Sequence, residues 1–518
     1  STSKNGDAKG GAINNNGYTS LIGEIEGNFI RNYAVSESNE SQSRGGAILN
    51  WSTISGIKGN FNENYVSGNG VVHGGAIANL DASMSNVSGD FIGNYAISSS
   101  ATANVKGGAI YNTMRSGSYS DYGNAEVSIF DSIFTDNYAT EANGGGAIYN
   151  NGGTVNITDS SFKVSDTEKA KTEYANRKYG IRSTGTLNIT ATKNINTDTS
   201  AGAKEYGILF DGIAGEDTIH DIYYDNKSVA QHGGGTLNIF ATGSNVLFQN
   251  TADSVSYNIN KSGTTNLYAS DGKSITFDKG LNLSGTTKIN EGDYTGTINV
   301  GGSVTGGSAF NMYGGTMNIT GGGITGGGNF NMYAGTMNVA GTITGSDTAG
   351  GGSFNVYDGT INFNGTSNTT SYKGAMTLGT ETTFATLNTQ QGYQDIFNVA
   401  SLDINNTNKW LIDVGTDSLG NLTWADTLFS GKSSTSTNDG RIIIDSIKLV
   451  IEGTKDEHYT PLGSYQITNN VNNLFLKEGI EIYIGDEKYN LPSTVYLFYD
   501  NGFLNFNTKR ASSKNKSR

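Results

Sequence analysis

The sequence predicts an all-β chain that folds as a right-handed parallel β-helix, a solenoid of stacked coils, with a β-rich cap toward its C-terminal end. Two short motifs alternate through the first third of the chain and recur about every 30 to 38 residues, a period typical of solenoids. No long stretch places apolar residues at helical spacing, so almost no helix is expected. The 518 residues include 73 Gly, 28 Tyr and 21 Phe but only 2 Pro. This composition favours many short strands and tight turns over a disordered chain.

The first motif, GGAI followed by one further residue and Asn, predicts an apolar column. Its five copies begin at Gly10, Gly45, Gly74, Gly107 and Gly145. In a β-helix the same position returns one strand spacing, about 4.8 Å, further along the axis. The isoleucines of the motif should therefore stack inside the coils, as Ile13, Ile48, Ile77, Ile110 and Ile148. The paired glycines permit positive φ or close backbone approach at a corner.

The second motif, Phe-x-x-Asn followed by Tyr, predicts two more columns. Its copies are FIRNYA, FNENYV, FIGNYA and FTDNYA, which begin at Phe29, Phe61, Phe91 and Phe134. The phenylalanines should stack in the interior. The asparagines tolerate left-handed geometry and can stack their side-chain amides from coil to coil, as Asn32, Asn64, Asn94 and Asn137.

From Gly152 the repeat becomes Gly-Thr-apolar-Asn-apolar. Its early copies are GGTVNIT, STGTLNIT and GGTLNIF, and the later ones lie in FNMYGGTMNIT, FNMYAGTMNVA and FNVYDGTINFN, which begin at Phe310, Phe330 and Phe354. The alternation predicts strands with one buried face and outward Thr and Asn. Surplus residues should leave as loops, and the charged segment 165–179 is predicted to form a short surface helix.

Glycine becomes scarce after residue 390, and longer apolar strands such as KWLIDV and RIIIDSIKLVIEG begin there. Open β-helix ends need covering because their strand edges are unpaired. We therefore predict a cap, with Trp410 and Trp424 as its packing anchors. The predicted regions are a β-helix with GGAI and FxxN repeats at 1–150, a β-helix with longer loops at 151–390, the cap at 391–507, and a basic tail or linker at 508–518.

The alternating GGA(I/L/V) and FxxN tetrapeptides of residues 10–150 resemble the repeats of the chlamydial polymorphic outer-membrane proteins and related autotransporter adhesins. The segment NKWLIDVGTDSLGNLTWADTL, from Asn408 to Leu428, resembles the C-terminal stretch of many autotransporter passengers, which caps the β-helix and assists its folding. The resemblance implies a passenger domain that a C-terminal β-barrel translocator, missing from this sequence, carries to the bacterial cell surface. The chain begins at Ser1 without a signal peptide, which suggests a processed or excised fragment.

Charge and cysteine content exclude several classes of partner and site. The formal net charge of −14 argues against a nucleic-acid partner, because phosphate binding needs a basic face. The absence of cysteine excludes disulfides and thiolate metal sites. No run of about 18 apolar residues predicts a membrane-spanning helix. An extracellular chain of this kind must be stabilised by packing and backbone hydrogen bonds.

The best local cluster of chemical groups is a long acidic segment, FDGIAGEDTIHDIYYDN, which contains Asp211, Glu216, Asp217, His220, Asp221 and Asp225. Two carboxylates across a groove could hydrolyse glycosides, and several could bind Ca²⁺. Their spacing matches no calcium motif, and a solvated acidic loop is the favoured interpretation. No GxSxG elbow or zinc-helix motif occurs. We therefore predict no catalytic, cofactor-binding or metal-binding residues.

These observations predict a secreted or surface-displayed adhesin rather than an enzyme, with a virulence role implied by the resemblance. Its loops or flat faces would bind a host glycan or an extracellular protein. Two alternatives stay open. One is a β-helix enzyme that degrades polysaccharides, and the other is a surface protein that aggregates or forms filaments by self-association through uncharged Asn/Thr faces.

Overall fold

A computed structural model describes residues 1–17, 19–114, 125–140, 144–163, 180–195, 206–212, 222–224, 236–250, 256–259, 263–283, 285–326, 328–344, 352–365, 375–432 and 434–508. The chain divides into two compact units, unit 1 at Ser1–Gly301 and unit 2 at Gly302–Arg518. In the described parts of both units every regular element is a β-strand. None of these residues forms a helix long and apolar enough to cross a membrane. The helix predicted at 165–179 lies outside the described residues.

Unit 1 is a parallel β-helix, in which each strand pairs with its equivalents in the neighbouring coils. The strands that carry the five GGAI isoleucines are Ile13–Asn15, Ile48–Asn50, Ile77–Leu80, Ile110–Thr113 and Ile148–Asn151. The same row continues in Ile181–Ser183 and Ile222–Tyr224, whose isoleucines pair in register with Ile148 and with each other. Two smaller sheets consist of Thr2–Ser3, Tyr33–Ser36, Tyr65–Gly68, Tyr95–Ile97 and Tyr138–Ala139, and of Ala8–Lys9, Gln42–Arg44, Val71–His73 and Asn104–Lys106. The short strands Ser256–Ile259 and Gly280–Leu283 also pair in parallel.

The longest row of strands in unit 1 carries the phenylalanines and the Gly-Thr-apolar-Asn repeats. It consists of Leu21–Glu26, Phe29–Ile30, Thr53–Lys58, Phe61–Asn62, Ser83–Ile92, Glu126–Thr135, Thr154–Thr158, Ser161–Lys163, Thr186–Ala191, Tyr206–Gly212, Thr236–Ala241, Asn245–Asn250, Thr264–Ala269, Ser274–Phe277, Thr286–Ile289 and Thr297–Val300. Apolar and polar residues alternate along these strands, and the apolar ones are buried. The β-helix predicted from the repeats is therefore present.

The predicted isoleucine and phenylalanine columns are both confirmed. Ile48, Ile77, Ile110 and Ile148 pair in register and are fully buried, whereas Ile13 in the first coil is half-buried. The rings of Phe29, Phe61, Phe91 and Phe134 stack with centroids 4.6–4.7 Å apart and interplanar angles of 4–6°. The phenylalanine column is twice as long as predicted and continues through Phe162, Phe210, Phe248 and Phe277.

The glycines of GGAI explain why the two motifs alternate. The first glycine of each copy has positive φ, for example 71° at Gly74, where a Cβ atom would lie 2.1 Å from the carbonyl oxygen of Ile77. The second glycine meets the backbone of the other motif. A Cβ on Gly75 would lie 2.6 Å from the nitrogen of Tyr95 and 2.0 Å from the oxygen of Gly108. The coil is therefore so narrow here that only glycine fits beneath the FxxNY strand.

The asparagines of FxxN form the predicted amide column. The side chain of Asn64 donates to Oδ1 of Asn94 at 2.9 Å, and Asn94 donates to Oδ1 of Asn137 at 2.9 Å. The left-handed residue is the one before the asparagine, as at Glu63 (φ 53°) and Asp136 (φ 54°).

A second buried amide column was not predicted. The asparagine that ends each GGAI motif donates to its equivalent in the next coil, through Asn15, Asn50, Asn79, Asn112 and Asn150. The donor–acceptor distances are 2.8–2.9 Å. These side chains replace backbone hydrogen bonds that the corner removes, since a buried polar backbone group left unpaired is costly.

Unit 2 begins with short parallel coils. Its strands up to residue 388 are Val304–Gly306, Ala309–Met312, Thr316–Ile319, Ile324–Gly326, Asn329–Met332, Thr336–Val339, Ile343–Thr344, Phe354–Val356, Gly359–Phe363, Ala375–Leu378 and Ala385–Asn388. The repeats pair in register, with Phe310 opposite Phe330 and Met317 opposite Met337. These side chains are buried and fill the interior of the coils.

The C-terminal part of unit 2 combines long parallel strands with antiparallel pairs. Its strands are Ile396–Val399, Ser401–Thr416, Leu422–Ala425, Thr427–Ser430, Thr435–Ile451, Gly463–Gln466, Thr468–Asn469, Leu474–Ile484, Glu487–Lys488, Tyr496–Asp500 and Phe503–Asn507. Parallel pairing runs from Ser401–Thr416 through Thr435–Ile451 to Leu474–Ile484, and the last two strands pair antiparallel with each other. The predicted β-rich cap region thus carries coils of the solenoid itself.

The two predicted anchors of this region differ in burial. Trp410 is fully buried between Leu387 and Ile444 of the neighbouring coils. Trp424 is half-buried, and its indole lies directly over Gly415, where a Cβ atom would be 2.1 Å from Nε1. Trp424 also donates to Oε1 of Glu452 at 3.0 Å. Trp410 is therefore a core residue, and Trp424 covers a strand at the surface.

Candidate functional site

The outer surface of unit 1 carries a groove that runs along the stack of coils. It lies where the chain bends between a strand such as Leu21–Glu26 and the following phenylalanine. Gly27, Gly59 and Gly89 form its floor. A Cβ atom on Gly59 would lie 1.8 Å from the oxygen of Gly27, and one on Gly89 would lie 2.1 Å from the oxygen of Gly59. Stacked glycine backbone thus leaves a channel between two rows of side chains.

Polar side chains form both rims of this groove, which encloses about 530 Å³. The residue before each glycine is Glu26, Lys58 or Ser88, and these three pair in register. On the other rim, Oδ1 of Asn28 accepts the backbone N–H of Asn60 at 3.1 Å. These rims offer hydrogen-bond donors and acceptors to a ligand that lies on the glycine backbone of the floor.

The groove continues into a second depression of about 250 Å³ that shares Asp131 with the first. Here Lys193 contacts Asp131 at 2.8 Å. The buried Asp159 accepts the backbone N–H groups of Thr192 at 2.7 Å and Lys193 at 3.2 Å. From Glu26 to Lys193 the two depressions span six coils, or about 24 Å at one strand spacing per coil.

The charges around the groove are mixed. The hydrogen bond that Lys193 donates to the carboxylate of Asp131 raises the pKa of Lys193, and burial raises the pKa of Asp90. Arg31 forms an exposed ion pair with Glu63 at 2.7 Å, which raises the pKa of the guanidinium group. Because the groove is lined by both acidic and basic groups, it has no strong preference for a polyanion or a polycation.

A tyrosine column lies beside the amide column on the outside of unit 1. The rings of Tyr33, Tyr65, Tyr95 and Tyr138 stack with centroids 4.9–5.5 Å apart. Tyr33 is 39 % exposed, whereas Tyr138 is buried. Because each ring face is covered by its neighbour, the column presents ring edges to solvent and leaves little face area for a sugar to stack on.

A buried cluster of basic and aromatic side chains lies over the GGAI strands. The ring of His73 stacks on Tyr111 at 3.9 Å, and Nζ of Lys106 lies 4.8 Å from the centroid of Tyr149. Burial, and then the charge of Arg44, hold the pKa of His73 well below its usual range. His73 is 4 % exposed and lies, in its neutral form, between the cations Arg44 and Lys106. It therefore serves as a packing residue.

Unit 2 presents uncharged outer columns. Asn338 donates to Asn318 at 2.7 Å and accepts from Asn362 at 2.7 Å. Beside them Tyr313, Tyr333 and Tyr357 stack at 4.9 and 5.2 Å. The sequence has no Lys, Arg, Asp or Glu between Tyr294 and Ser346. The outward Asn residues therefore form a polar face without charges, as the alternation of apolar and polar residues predicts.

The acidic segment singled out from the sequence is described only in part. Asp211 is the penultimate residue of the strand Tyr206–Gly212, pairs with Lys163 and Gln249 of the adjacent coils and is half-buried. Glu216, Asp217, His220, Asp221 and Asp225 lie outside the described residues. Within the described ranges, no three His, Cys, Asp or Glu side chains are arranged to hold a metal ion.

The groove was missed in the sequence although it has a signal there. Each FxxN motif of the first three coils is preceded by Gly and then Asn or Asp, as EGNF, KGNF and SGDF. A glycine at a fixed distance before a buried column marks a place where backbone is exposed or closely approached.

Comparison with known proteins adds no assignment. No protein-family model matches the chain. A search of curated proteins also finds no significant match.

Proposed function

We propose that the protein is an adhesin, secreted or displayed on a bacterial cell surface as an autotransporter passenger, and that it binds an extended ligand in the groove of unit 1. The observation that carries the proposal is the glycine floor at Gly27, Gly59 and Gly89 between polar rims. The sequence resemblance to autotransporter adhesins supports the localisation. The ligand would be a host glycan or a segment of an extracellular protein.

The chemistry of the groove favours binding over catalysis. Two of the three carboxylates that line the groove are occupied, since Asp131 contacts Lys193 and Asp159 accepts two backbone N–H groups. A glycosidase needs one carboxyl group with a raised pKa opposite a second free carboxylate. Carboxylates that are fixed by donors serve that purpose poorly.

A hydroxyl-rich linear glycan fits the groove better than a charged polymer. Its hydroxyl groups can both donate and accept, which matches rims that contain Lys58, Ser88 and Asn28. The rims repeat at about 4.8 Å, one strand spacing, which is close to the length of one sugar unit. Successive sugars could therefore meet equivalent groups in successive coils, and affinity would rise with chain length.

The test is glycan-array binding of the purified chain, followed by titration of the best ligand against a Lys58→Ala/Ser88→Ala variant. Removal of two rim groups should weaken binding at least about tenfold. Lys432→Ala, an exposed lysine of unit 2, is the matched control and should bind like the parent. Equal binding by the rim variant would show that the ligand does not use the groove.

Self-association is a second candidate function, and the charge-free stretch 294–346 favours it. Two copies of an uncharged face do not repel each other, although the whole chain carries a net charge of −14. Sedimentation over a concentration series should then show association that Tyr333→Lys abolishes. Tyr333 and Tyr393 are 41 % and 42 % exposed, so Tyr393→Lys is the control. Association that survives Tyr333→Lys would exclude this face.

A further inference from the structure

Three carboxylates lie buried together in the C-terminal part of unit 2. Asp395, Asp413 and Asp426 are at most 2 % exposed. They join three separate segments of the chain, because Asp413 lies in the strand Ser401–Thr416, Asp426 lies between two later strands, and Asp395 precedes Ile396–Val399. The carboxylates therefore form a cross-connection between coils in the interior.

Asp426 is the centre of this cluster. Its Oδ2 accepts the backbone N–H of Asp413 and the hydroxyl of Thr389, each at 2.6 Å. Its Oδ1 accepts the backbone N–H of Asp395 at 2.8 Å. Three donors thus hold one carboxyl group, and its loss would release three segments at once.

Asp413 is less completely satisfied. Its Oδ2 accepts the backbone N–H of Gly392. Its Oδ1 is buried and has no hydrogen-bond partner. A buried carboxylate oxygen without a donor is unfavourable when ionised, but it is a suitable position for a proton.

The charged groups around Asp413 do not balance. Lys448, on the neighbouring strand Thr435–Ile451, is the cation that favours its ionised form, whereas Asp395 and burial both oppose ionisation. Burial raises the pKa of Asp413 to about 7. Burial, then Asp413, then Asp395 raise the pKa of Asp426 well above its usual range. Three negatively charged carboxylates that lie together in the interior would be strongly unfavourable. Protonation of each carboxyl group therefore depends on the charge of the other two.

We propose that the cluster of Asp395, Asp413 and Asp426 is a proton-binding switch that holds the C-terminal coils of unit 2 together while at least one of its carboxyl groups is protonated. Loss of that proton at mildly alkaline pH leaves like charges in the core and loosens the connection between the three segments. The switch concerns the stability of unit 2 and does not depend on the ligand of the groove in unit 1.

The direction of the effect follows from the raised pKa. The folded state holds the proton more tightly than the unfolded state, so the stabilisation is fully present below the unfolded value of 3.8 and is lost as pH rises through about 7. Between pH 5 and pH 8 the folding equilibrium constant of unit 2 should fall on the order of 100-fold through Asp413 alone.

The test uses the full chain with Trp51→Phe, so that the two remaining tryptophans, Trp410 and Trp424, report only on unit 2. Denaturant unfolding is followed by fluorescence at pH 5 and pH 8. The parent should lose stability at pH 8. Asp413→Asn, whose amide resembles the protonated acid, should reduce that loss, and Asp426 accounts for what remains. Asp486→Asn removes the same charge from an exposed position and should keep the pH dependence of the parent.

A second measurement needs no variant. The infrared carbonyl band of a protonated carboxyl group should be visible in the folded parent at pH 6 and should disappear when the protein is unfolded at the same pH. Absence of this band in the folded state would overturn the proposal. So would a stability of unit 2 that is equal at both pH values, or an Asp413→Asn variant that folds and retains the full loss.

Discussion

The early coils of unit 1 and the short coils of unit 2 turn the same kind of corner by different means. In unit 1 the buried Asn94 accepts from Asn64 and donates to Asn137 and to the carbonyl of Phe61. In unit 2 the stacked amides, such as Asn338, lie within strands and are half-exposed on the outer face. There the corner is turned by glycines such as Gly335 (φ 97°), where a Cβ atom would lie 2.5 Å from the oxygen of Gly315.

The difference shows what sets the length of a coil. A buried amide fixes its corner with several hydrogen bonds, so additional residues can leave the coil elsewhere without disturbing the corner. GGAI copies accordingly stand about 30 to 38 residues apart. A glycine corner brings backbone against backbone, and successive repeats from Phe310 and Phe330 are 20 and 24 residues apart. The long coils of unit 1 therefore combine glycine corners with buried amide corners, whereas the short coils of unit 2 have glycine corners.

The largest expected effect comes from removing the ends of the two units. Deletion of residues 391–518 would remove the strand Ser401–Thr416, which pairs with one edge of Ala375–Leu378 and of Ala385–Asn388, and an open edge of this kind aggregates. We expect aggregation or slow, incomplete refolding. Deletion of residues 1–44 removes one coil and should only shorten unit 1. Refolding yields of the two truncations measure the difference, and equal yields would refute the cap assignment.

The next largest effect should come from a charge in the isoleucine column of unit 1. Ile77→Asp places a carboxylate between Ile48 and Ile110, where it has no partner, and should cost about 4 kcal/mol or more of unfolding free energy. Leu21→Asp is the control, because Leu21 is 70 % exposed. Thermal melting measures both. A melting temperature of Ile77→Asp that equals the parent's would contradict the register of the coils.

The two asparagine positions give a direct test of the comparison. Asn94→Ala should cost about 2–3 kcal/mol, because it leaves the carbonyl of Phe61 and two neighbouring amides with unmet hydrogen bonds in the interior. Asn338→Ala should cost less than about 1 kcal/mol, because water replaces the lost partner at a half-exposed site. Denaturant midpoints distinguish them. If both variants lose equal stability, burial is not what makes the unit 1 column effective.

The smallest expected effect is an opposite pH response in the two units. Because the pKa of His73 is lowered in the folded state, its contribution to the stability of unit 1 is present above pH 6.5 and is lost as pH falls further. His73→Gln should flatten this acid decline, and His458→Gln, at an exposed position, should not. Calorimetry between pH 7 and pH 5.5 measures it. An unchanged decline in His73→Gln would assign the acid response to other groups.

The phenylalanine and amide columns could be predicted from the sequence wherever the motif Phe-x-x-Asn-Tyr repeats in full. After Phe134 the Asn-Tyr pair disappears, so Phe162 and Phe210 were missed although their rings stack at 4.7 Å like the earlier ones. The packing of the column depends on the phenylalanine alone. The amide serves the corner, which the later coils turn differently.

The carboxylate cluster could not be predicted, although Asp413 and Asp426 lie within the segment that resembles passenger C-termini. Their interaction depends on the pairing of strands 401–416 and 422–425 and on a loop that carries Asp395. Nothing in the local sequence distinguishes a buried aspartate from a solvated one. The groove of unit 1 depends in the same way on three coils being in register.

The stacked phenylalanines have a consequence for how such a chain changes length over generations. Each pair of rings from Phe29 to Phe277 repeats nearly the same contact, with centroids 4.6–4.7 Å apart. The upper surface of one coil therefore fits the lower surface of any other in the column. Duplication or loss of a gene segment that encodes one whole coil would create no foreign junction, whereas a fractional insertion would shift every column at once. Recombination between repeats can thus lengthen or shorten the solenoid in whole coils while its interior stays intact.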